Sequence, residues 1–221
     1  MIKQIKAVLF DLDGTLIDTA EDFLVSMNAT RTENNLSQLT LDTVQDAVSN
    51  GAQGMLEIVF PDYSKAAIDL QKIAFLEKCA KNTGTFAKPF SGITQLIKHL
   101  DDQLIPWGIV TNRNETLTRP LLEKLQLKPS LDCVICPEQV TQPKPSPEGL
   151  LLAAEKFNVN PEACIYVGDH LRDIQAANQA NMFSIAAAYG YIGKNTDINQ
   201  WQADITVDSI NSLQKFILNH I

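Results

Sequence analysis

The sequence predicts an α/β fold, with a parallel β-sheet core and an all-helical insert. Short apolar runs alternate with helix-like stretches over most of the chain, the pattern of parallel strands joined by helices. Residues 17–86 break this alternation, because they contain several helix-like stretches and no convincing strand. Two acids, Asp11 and Asp13, directly follow the first apolar run, at the end of a strand where open α/β sheets keep their ligand sites.

Six apolar runs are the expected strands, and the last is short enough to be an edge strand. Continuous apolar runs of this length are typical of the buried strands of a parallel sheet. In chain order the runs are residues 5–10, 104–110, 131–136, 163–167, 182–188 and 205–207.

Helical periodicity predicts four core helices and marks a fifth helix-like stretch. The four span 93–100, 150–157, the stretch that follows residue 170, and 210–217. Ser91, Ser146 and Ser209 are the expected N-caps. Pro120 predicts either a kink or a late start for a helix within residues 115–126.

The insert is expected to hold four helices and to form a cap. Its helix-like stretches are residues 20–32, 42–49, 54–60 and 64–81. We therefore divide the chain into a core of residues 1–16 and 87–221 and a helical cap domain of residues 17–86, with residues 84–89 as the return hinge.

Composition and charge exclude several kinds of partner. The 221 residues are 45% hydrophobic and 20% charged, and the net charge is −8. Lysine and arginine do not cluster, so we expect neither nucleic acid nor an anionic membrane as a partner. No apolar run is as long as a membrane span and no signal-peptide pattern occurs, so we expect a cytoplasmic protein. The sequence leaves the oligomeric state open.

Cys133 and Cys136 have the spacing of a redox or zinc motif, but no second pair accompanies them. They lie in an apolar run, and in a strand their side chains would face opposite ways. We therefore predict two buried thiols that pack in the core.

The segment Asp11-Leu-Asp-Gly-Thr15 is the strongest chemical signal in the chain. Alternate acids on an extended segment point in different directions, so one can attack while the other handles protons. Gly14 permits a tight turn, and Thr15 offers a hydroxyl and a backbone N–H to an anion. A buried strand that ends in paired acids needs compensating charge, and a metal ion is the usual source.

Three later segments carry polar groups that complement these acids. Thr111 and Asn112 end one strand and can hold phosphate oxygens, although the same pair forms ordinary turns. Lys144 stands between two prolines and can neutralise a phosphate together with a carboxylate. Asp169 follows another strand, and Asp173 lies one helical turn later, so the acids together predict a hard-cation site.

The order and setting of the four segments resemble the haloacid dehalogenase-like phosphohydrolases. That family's pattern is DxDGT, then Thr or Ser, then Lys, then GDxxxD, and the resemblance spans essentially the whole chain. A helical insert between the first two motifs is similar to the subclass with a C1 cap, which includes phosphoglycolate phosphatases and N-acetylmuramic acid 6-phosphate phosphatases. Local stretches that look like these subfamilies are residues 49–55, 107–112, 142–145, 189–193 and 201–204.

This resemblance implies a Rossmann-like core and a Mg²⁺-dependent phosphomonoester hydrolase that acts through an aspartyl-phosphate. Asp11 would be the nucleophile, and Asp13 would be the general acid and then the general base. Thr111 and Lys144 would complete the catalytic set. A small phosphomonoester is the implied substrate, with a phosphoglycolate phosphatase-like activity as the principal prediction.

The same resemblance implies the metal ligands. Mg²⁺ would be held by the Asp11 carboxylate, the Asp13 backbone carbonyl and Asp169. Asp173 would orient the waters on the metal.

Substrate contacts are expected from both domains. Thr15 and Asn112 of the core would bind the phosphate, and Arg31, Gly51 and Gln53 of the cap would contact the rest of the substrate.

Two residues depart from the family pattern beside the site. His170 stands where Ser, Thr or Asp is common, and Arg113 stands where Lys is common, so both are candidates to alter substrate preference.

Other activities stay open. N-acetylmuramic acid 6-phosphate or another sugar phosphate is an alternative substrate, and a sugar phosphomutase uses the same residues. A dehalogenase needs no acid at position 13, and a phosphonate hydrolase needs a cap lysine near the glycine-containing loop. A phospho-aspartate signalling module is the alternative from another class, but such modules are about half this size and lack a cap.

Overall fold

A parallel β-sheet forms the centre of the computed structural model, which describes residues 4–48, 50–194 and 196–221. The strands are β1 (Ala7–Phe10), β2 (Ile17–Asp18), β3 (Lys88–Pro89), β4 (Trp107–Val110), β5 (Val134–Ile135), β6 (Cys164–Gly168), β7 (Phe183–Ala187) and β8 (Ile205–Val207). Six of them pair in parallel in the order β5-β4-β1-β6-β7-β8. β2 and β3 form a separate antiparallel pair.

Helices cover the sheet and build the insert. They are α1 (Ala20–Glu33), α2 (Leu41–Val48), α3 (Gly51–Val59), α4 (Lys65–Asn82), α5 (Ile93–Asp102), α6 (Glu115–Lys124), α7 (Glu148–Phe157), α8 (Leu171–Gln179) and α9 (Ile210–Leu218). The first four lie in the insert, in the order that the sequence predicts. None of the described helices combines the length and the apolar character that crossing a bilayer requires.

The strands confirm the predicted α/β fold, although several are shorter than the predicted runs, most of all β4 and β5. Only Val134 and Ile135 of the run 131–136 join the sheet, because residues 130–132 form a 3₁₀ turn in which Leu131 has a φ of 51°. β8 lies at the edge of the sheet, as its length predicts. The β2–β3 pair has two residues in each strand, too few for any periodicity in the sequence.

The core packs on both faces of the sheet. Val8 and Phe10 of β1 belong to an apolar cluster with residues of α5 and α9, whereas Ala7 and Leu9 belong to a cluster with residues of α7 and α8. Alternate side chains of a strand point to opposite faces, so one short strand contributes to both clusters.

Cys133 and Cys136 lie on opposite faces of the sheet, which confirms that they are buried core thiols. Cys133 packs with the α7 and α8 side, and Cys136 packs with the α5 and α9 side. Burial raises the pKa of each thiol to about 11. Neither group is therefore a thiolate at neutral pH, and the two cannot form a single metal or redox site.

The helix starts agree with the sequence in part. Ser209 caps α9 by accepting the Ser212 N–H at 3.2 Å. The expected cap at Ser91 is wrong, because α5 is preceded by Gly92 with a φ of 101°, and a Cβ there would lie 2.9 Å from Ile210 Cγ2. A late start at Pro120 is also wrong, since α6 begins at Glu115 and includes the proline.

The insert has its own apolar cluster, to which all four of its helices contribute. Its connection to the core is fixed by hydrogen bonds at Asp22, a buried residue in the first turn of α1. The Asp22 carboxylate accepts backbone N–H groups from Gly84 at 2.5 Å, Phe86 at 2.7 Å and Ala87 at 3.2 Å. The outgoing helix and the returning linker are thus joined by one side chain. The division of domains after residues 16 and 86 stays a prediction.

Candidate active site

Three neighbouring strands bring the predicted polar segments to one edge of the sheet. β1 pairs with β4 on one side and with β6 on the other. Asp11 follows β1, Thr111 follows β4 and Asp169 follows β6. The carboxyl ends of parallel strands share one edge, so these residues lie side by side where a ligand site is expected.

Three buried carboxylates form a compact group at this edge. Oxygen atoms of Asp11, Asp169 and Asp173 all lie within 4.8 Å of one another. The Asp169 oxygens accept hydrogen bonds from Thr15 Oγ1 and from the Tyr191 N–H, each at 2.8 Å. These bonds fix the orientation of Asp169, so the group is preformed.

Gly14 makes room for this arrangement. Its φ is +79°, which supports the expected tight turn after Asp13. A Cβ at this position would collide with the Asp169 carboxylate, so both the backbone conformation and the space require glycine.

Lys144 lies between two of the carboxylates. Its Nζ atom is 2.9 Å from Asp11 Oδ1 and 2.7 Å from Asp173 Oδ1, and it donates to the Tyr166 hydroxyl at 2.7 Å. The hydroxyl in turn donates to the Val110 carbonyl at 2.8 Å. Burial opposes the charge of Lys144, but the two carboxylates outweigh burial and raise its pKa, so it is an ammonium.

The charge of the group fits a divalent cation. When all three carboxyl groups are ionised, they and the one ammonium leave two negative charges in a buried site. Burial raises the pKa of Asp11 despite the opposing effect of Lys144, and burial together with Asp11 and Asp173 raises the pKa of Asp169 well above its usual value. Carboxylate oxygens are the ligands that Mg²⁺ and similar hard cations prefer.

Asp13 stands apart from this group and faces the cap. Its Oδ1 atom accepts a hydrogen bond from Thr19 Oγ1 at 2.6 Å and forms an ion pair with Arg113 Nη1 at 2.9 Å. Arg113 also donates to Thr83 Oγ1, at the end of α4, and its guanidinium lies 4.8 Å from the centre of the Phe23 ring. Among the described residues, its buried Nε has no hydrogen-bond partner. Arg113 therefore connects Asp13 to both ends of the insert.

A cleft separates the core from the insert above these residues. The core wall is mainly polar, and the wall from the insert is apolar. The core contributes Asp11, Asp13, Thr111, Asn112, Arg113, Asn114, Leu117, Lys144, His170 and Arg172. The insert contributes Phe23, Val48, Gly51, Ala52, Met55 and Leu76.

The contacts of His170 suggest what this residue does in place of the Ser, Thr or Asp of the family pattern. It is the N-cap of α8, and its Nδ1 atom accepts the Arg172 N–H at 3.2 Å and Arg172 Nε at 3.1 Å. Burial, with a smaller effect of the Arg172 charge, lowers the pKa of His170 to about 4. The neutral ring is therefore an acceptor that fixes the Arg172 side chain.

The fold and the site have counterparts among known proteins. Residues 8–187 match the family model of the haloacid dehalogenase-like hydrolases. The chain belongs to this family. It is 34% identical to an N-acetylmuramic acid 6-phosphate phosphatase of Pseudomonas putida, over 97% of this chain and 96% of that protein.

A second relative supports the same family, and a solved structure shows the same fold. The chain is 38% identical to a phosphoglycolate phosphatase of Xanthomonas campestris, over 92% of each chain. The crystal structure of a predicted phosphoglycolate phosphatase from Haemophilus somnus has the same fold, with a TM-score of 0.84 and 23% identity over 98% of this chain and 99% of that one.

In this hydrolase the side chains of two residues expected to bind phosphate form hydrogen bonds with other site residues. Thr15 does not line the cleft, because its hydroxyl is buried against Asp169. Asn112 does line the cleft, but its amide forms two hydrogen bonds with the backbone of Lys144, at 2.9 and 3.1 Å. Both side chains hold other site residues in place, and the expectation that these residues bind phosphate stays a prediction.

Of the three cap residues expected to contact the substrate, one lines the cleft and two form contacts elsewhere, so these contacts stay predictions. Gly51 lines the cleft, whereas Gln53 donates to Glu57 on the exposed side of α3. Arg31 is buried inside the insert, where its Nε donates to the Ser37 carbonyl and its Nη1 donates to the Val59 carbonyl at 2.8 Å. Arg31 therefore satisfies backbone carbonyls at the end of α3 and does not line the cleft.

Replacement of Arg31 with Met is expected to lower stability and to leave kcat/KM within about twofold. Loss of the guanidinium leaves buried carbonyls without donors, which costs about 1–3 kcal/mol. Thermal unfolding and steady-state kinetics measure the two effects, with Arg119→Met on the surface of α6 as the matched control. A large fall in kcat/KM without a change in Tm would instead support the predicted contact between Arg31 and the substrate.

The sequence does not single out three residues that complete the site. Tyr166 contacts Lys144 but lies within an apolar strand, so its hydroxyl gives no signal. Tyr191 fixes Asp169 through its backbone and accepts the N–H groups of Thr19 and Ala20 through its hydroxyl. Arg172 lies inside the GDxxxD spacing, and its charge beside the acids is the one signal that points to it.

Proposed function

We propose that this hydrolase is a phosphomonoesterase that requires Mg²⁺ and acts through an aspartyl-phosphate. The observation that carries the proposal is the group of Asp11, Asp169, Asp173 and Lys144 at the sheet edge, in a cleft that the insert covers. Attack on a dianionic phosphate requires a nucleophilic carboxylate, a divalent cation and a further positive charge such as an ammonium.

Asp11 is proposed as the nucleophile. One of its oxygens attacks phosphorus, the bond from phosphorus to the ester oxygen breaks, and an acyl phosphate forms on Asp11. Lys144, 2.9 Å from Asp11 Oδ1, reduces the repulsion between this carboxylate and the phosphate. Thr111, beside Asp11 at the end of β4, is placed to donate to a phosphate oxygen.

Asp13 is proposed as the proton carrier. It gives a proton to the departing alcohol oxygen and then takes one from the water that attacks the acyl phosphate. Both steps use one carboxyl group, so the proton is returned within a catalytic cycle. The hydrogen bonds of Asp13 to Thr19 and Arg113 connect it with the insert, which supports a role for the cap in positioning this group.

The Asp11 and Asp169 carboxylates and the Asp13 backbone carbonyl are proposed to hold Mg²⁺, and Asp173 is proposed to orient its waters. When bound, Mg²⁺ supplies positive charge that offsets the developing negative charge on the phosphate oxygens.

The related phosphatases suggest two substrates. Phosphoglycolate is the first, and the relative from Xanthomonas campestris bears that name. N-acetylmuramic acid 6-phosphate is the second; the relative from Pseudomonas putida bears that name, and the apolar wall of the insert favours this larger substrate. We propose a cytoplasmic enzyme that acts on small molecules, without a nucleic acid or membrane partner.

Removal of the metal is expected to lower phosphate release at least about 100-fold, because the ammonium of Lys144 offsets only one of the three carboxylate charges. Wild type is assayed with 2-phosphoglycolate, N-acetylmuramic acid 6-phosphate, hexose phosphates and p-nitrophenyl phosphate, with and without EDTA. Excess Mg²⁺ added after EDTA should restore activity. Full turnover in EDTA would overturn the role of the metal, and an isomerised sugar phosphate without free phosphate would indicate a mutase.

A further inference from the structure

Arg172 is a cation of the cleft wall whose side-chain hydrogen-bond partners, an amide and an imidazole, carry no negative charge. Its Nη2 donates to Asn50 Oδ1 at 2.6 Å, and its Nε donates to His170 Nδ1 at 3.1 Å. Among the side chains that the structure describes, no carboxylate forms an ion pair with Arg172, and its Nη1 atom has no hydrogen-bond partner. The guanidinium therefore has an unused charge and unused donors.

The other two cations of the cleft are already paired. Lys144 contacts Asp11 and Asp173, and Arg113 contacts Asp13. Their charges are engaged in the group that attacks the phosphate. Arg172 is thus in excess of what the proposed chemistry needs, and it is available to a second anionic group of the ligand.

The position of Arg172 is fixed before a ligand binds. The His170 ring holds it from the core side, and Asn50, directly before α3, holds it from the insert side. A restrained guanidinium loses little conformational freedom on binding an anion, which favours affinity. Its contact with both domains places it where the cleft meets the cap.

We propose that Arg172 is a specificity-determining residue of this site, one that binds a carboxylate on the alcohol portion of the substrate. The inference rests on the proposed function, which places the phosphate at Asp11. A guanidinium binds a carboxylate through two parallel hydrogen bonds. One unpaired cation matches the single charge of a carboxylate, whereas a second phosphate would bring about two charges into a cleft already rich in acids.

Paired phosphonates test the proposal without turnover, because a carbon–phosphorus bond replaces the ester. 3-Phosphonopropionate and propylphosphonate differ in one terminal group, a carboxylate in the first and a methyl in the second. Calorimetric titration of wild type in Mg²⁺ is expected to show about tenfold tighter binding of the carboxylate. Equal or undetectable binding of the two ligands, or tighter binding of ethane-1,2-bisphosphonate, overturns the proposal.

Variants test whether Arg172 causes the preference for the carboxylated ligand. Arg172→Met is expected to bind both ligands equally, and Arg172→Lys is expected to keep part of the preference. Arg119→Met is the matched control, because Arg119 pairs with Glu115 and Asp132 away from the cleft, and it should keep the full tenfold ratio. Retention of that ratio in Arg172→Met overturns the proposal.

Binding of propylphosphonate reports in each variant that the phosphate end of the site is intact. If wild type prefers the carboxylate and Arg172→Met does not, the subsite stands even when no ester is hydrolysed. The absence of phosphate release would in that case count against the proposed phosphatase function alone.

Discussion

Asp11→Asn is expected to lower kcat by at least about 10³-fold, because an amide is a poor nucleophile toward phosphorus and no acyl phosphate can form. No other carboxylate of the group can replace it easily, since Asp169 is held by Thr15 and Tyr191 and Asp173 by Lys144. Phosphate release from the preferred substrate in Mg²⁺ measures the loss. Rapid quenching should show phosphate attached to the wild type and none attached to the variant.

The fold of Asp11→Asn should be intact. The substitution is nearly isosteric and removes one of three packed carboxylates, so we expect the Tm of the metal-free variant to equal or exceed that of metal-free wild type. Asp69→Asn, on the exposed side of α4, is the control and should change neither kcat nor Tm. Wild-type activity in Asp11→Asn would exclude Asp11 as the nucleophile.

Lys144→Met is expected to lose both activity and stability. The ammonium is the counter-charge of Asp11 and Asp173 and the donor to the Tyr166 hydroxyl. Removal of one partner from a buried ion pair costs about 3–5 kcal/mol, because a charge is left unpaired. Denaturation in urea with EDTA present measures the free energy of unfolding without contribution from a metal.

The control for Lys144→Met is Lys98→Met on the exposed side of α5. Added Mg²⁺ should stabilise Lys144→Met more than it stabilises wild type, because a cation that joins the group replaces part of the lost charge. Equal stability of Lys144→Met and wild type in EDTA would show that the carboxylates do not depend on Lys144.

The strands and helices were predictable where the pattern is continuous. The runs that became β1, β6 and β7 are apolar over their length, and four of the residues that pack α5 against the core recur at helical spacing. The sequence pattern fails where tertiary contacts determine the local backbone conformation. Leu131 extends an apolar run, yet it lies in a turn with positive φ. The residue that caps α5 is Gly92 and not Ser91, since Ile210 packs where a side chain at position 92 would lie.

The site was predictable as a set of residues but not as a set of roles. Asp11, Thr111, Lys144 and Asp169 meet because short motifs at strand ends must share one edge. The use of a polar side chain depends on partners that are far away in the sequence. Thr15 bonds to a residue 154 positions away, and Arg31 bonds to the end of α3, 28 positions away, and no local pattern records either contact.

The hydrogen bonds of Asp22 have a consequence for protein engineering. The Asp22 carboxylate on the outgoing helix accepts three backbone N–H groups of the returning linker. The pairing of β2 with β3 joins the same two segments of the chain. A chimaera that exchanges the insert of this hydrolase must therefore transplant residues 17–89 as one module. A junction made inside that module would separate Asp22 from its amides and leave both a buried charge and three backbone donors unsatisfied.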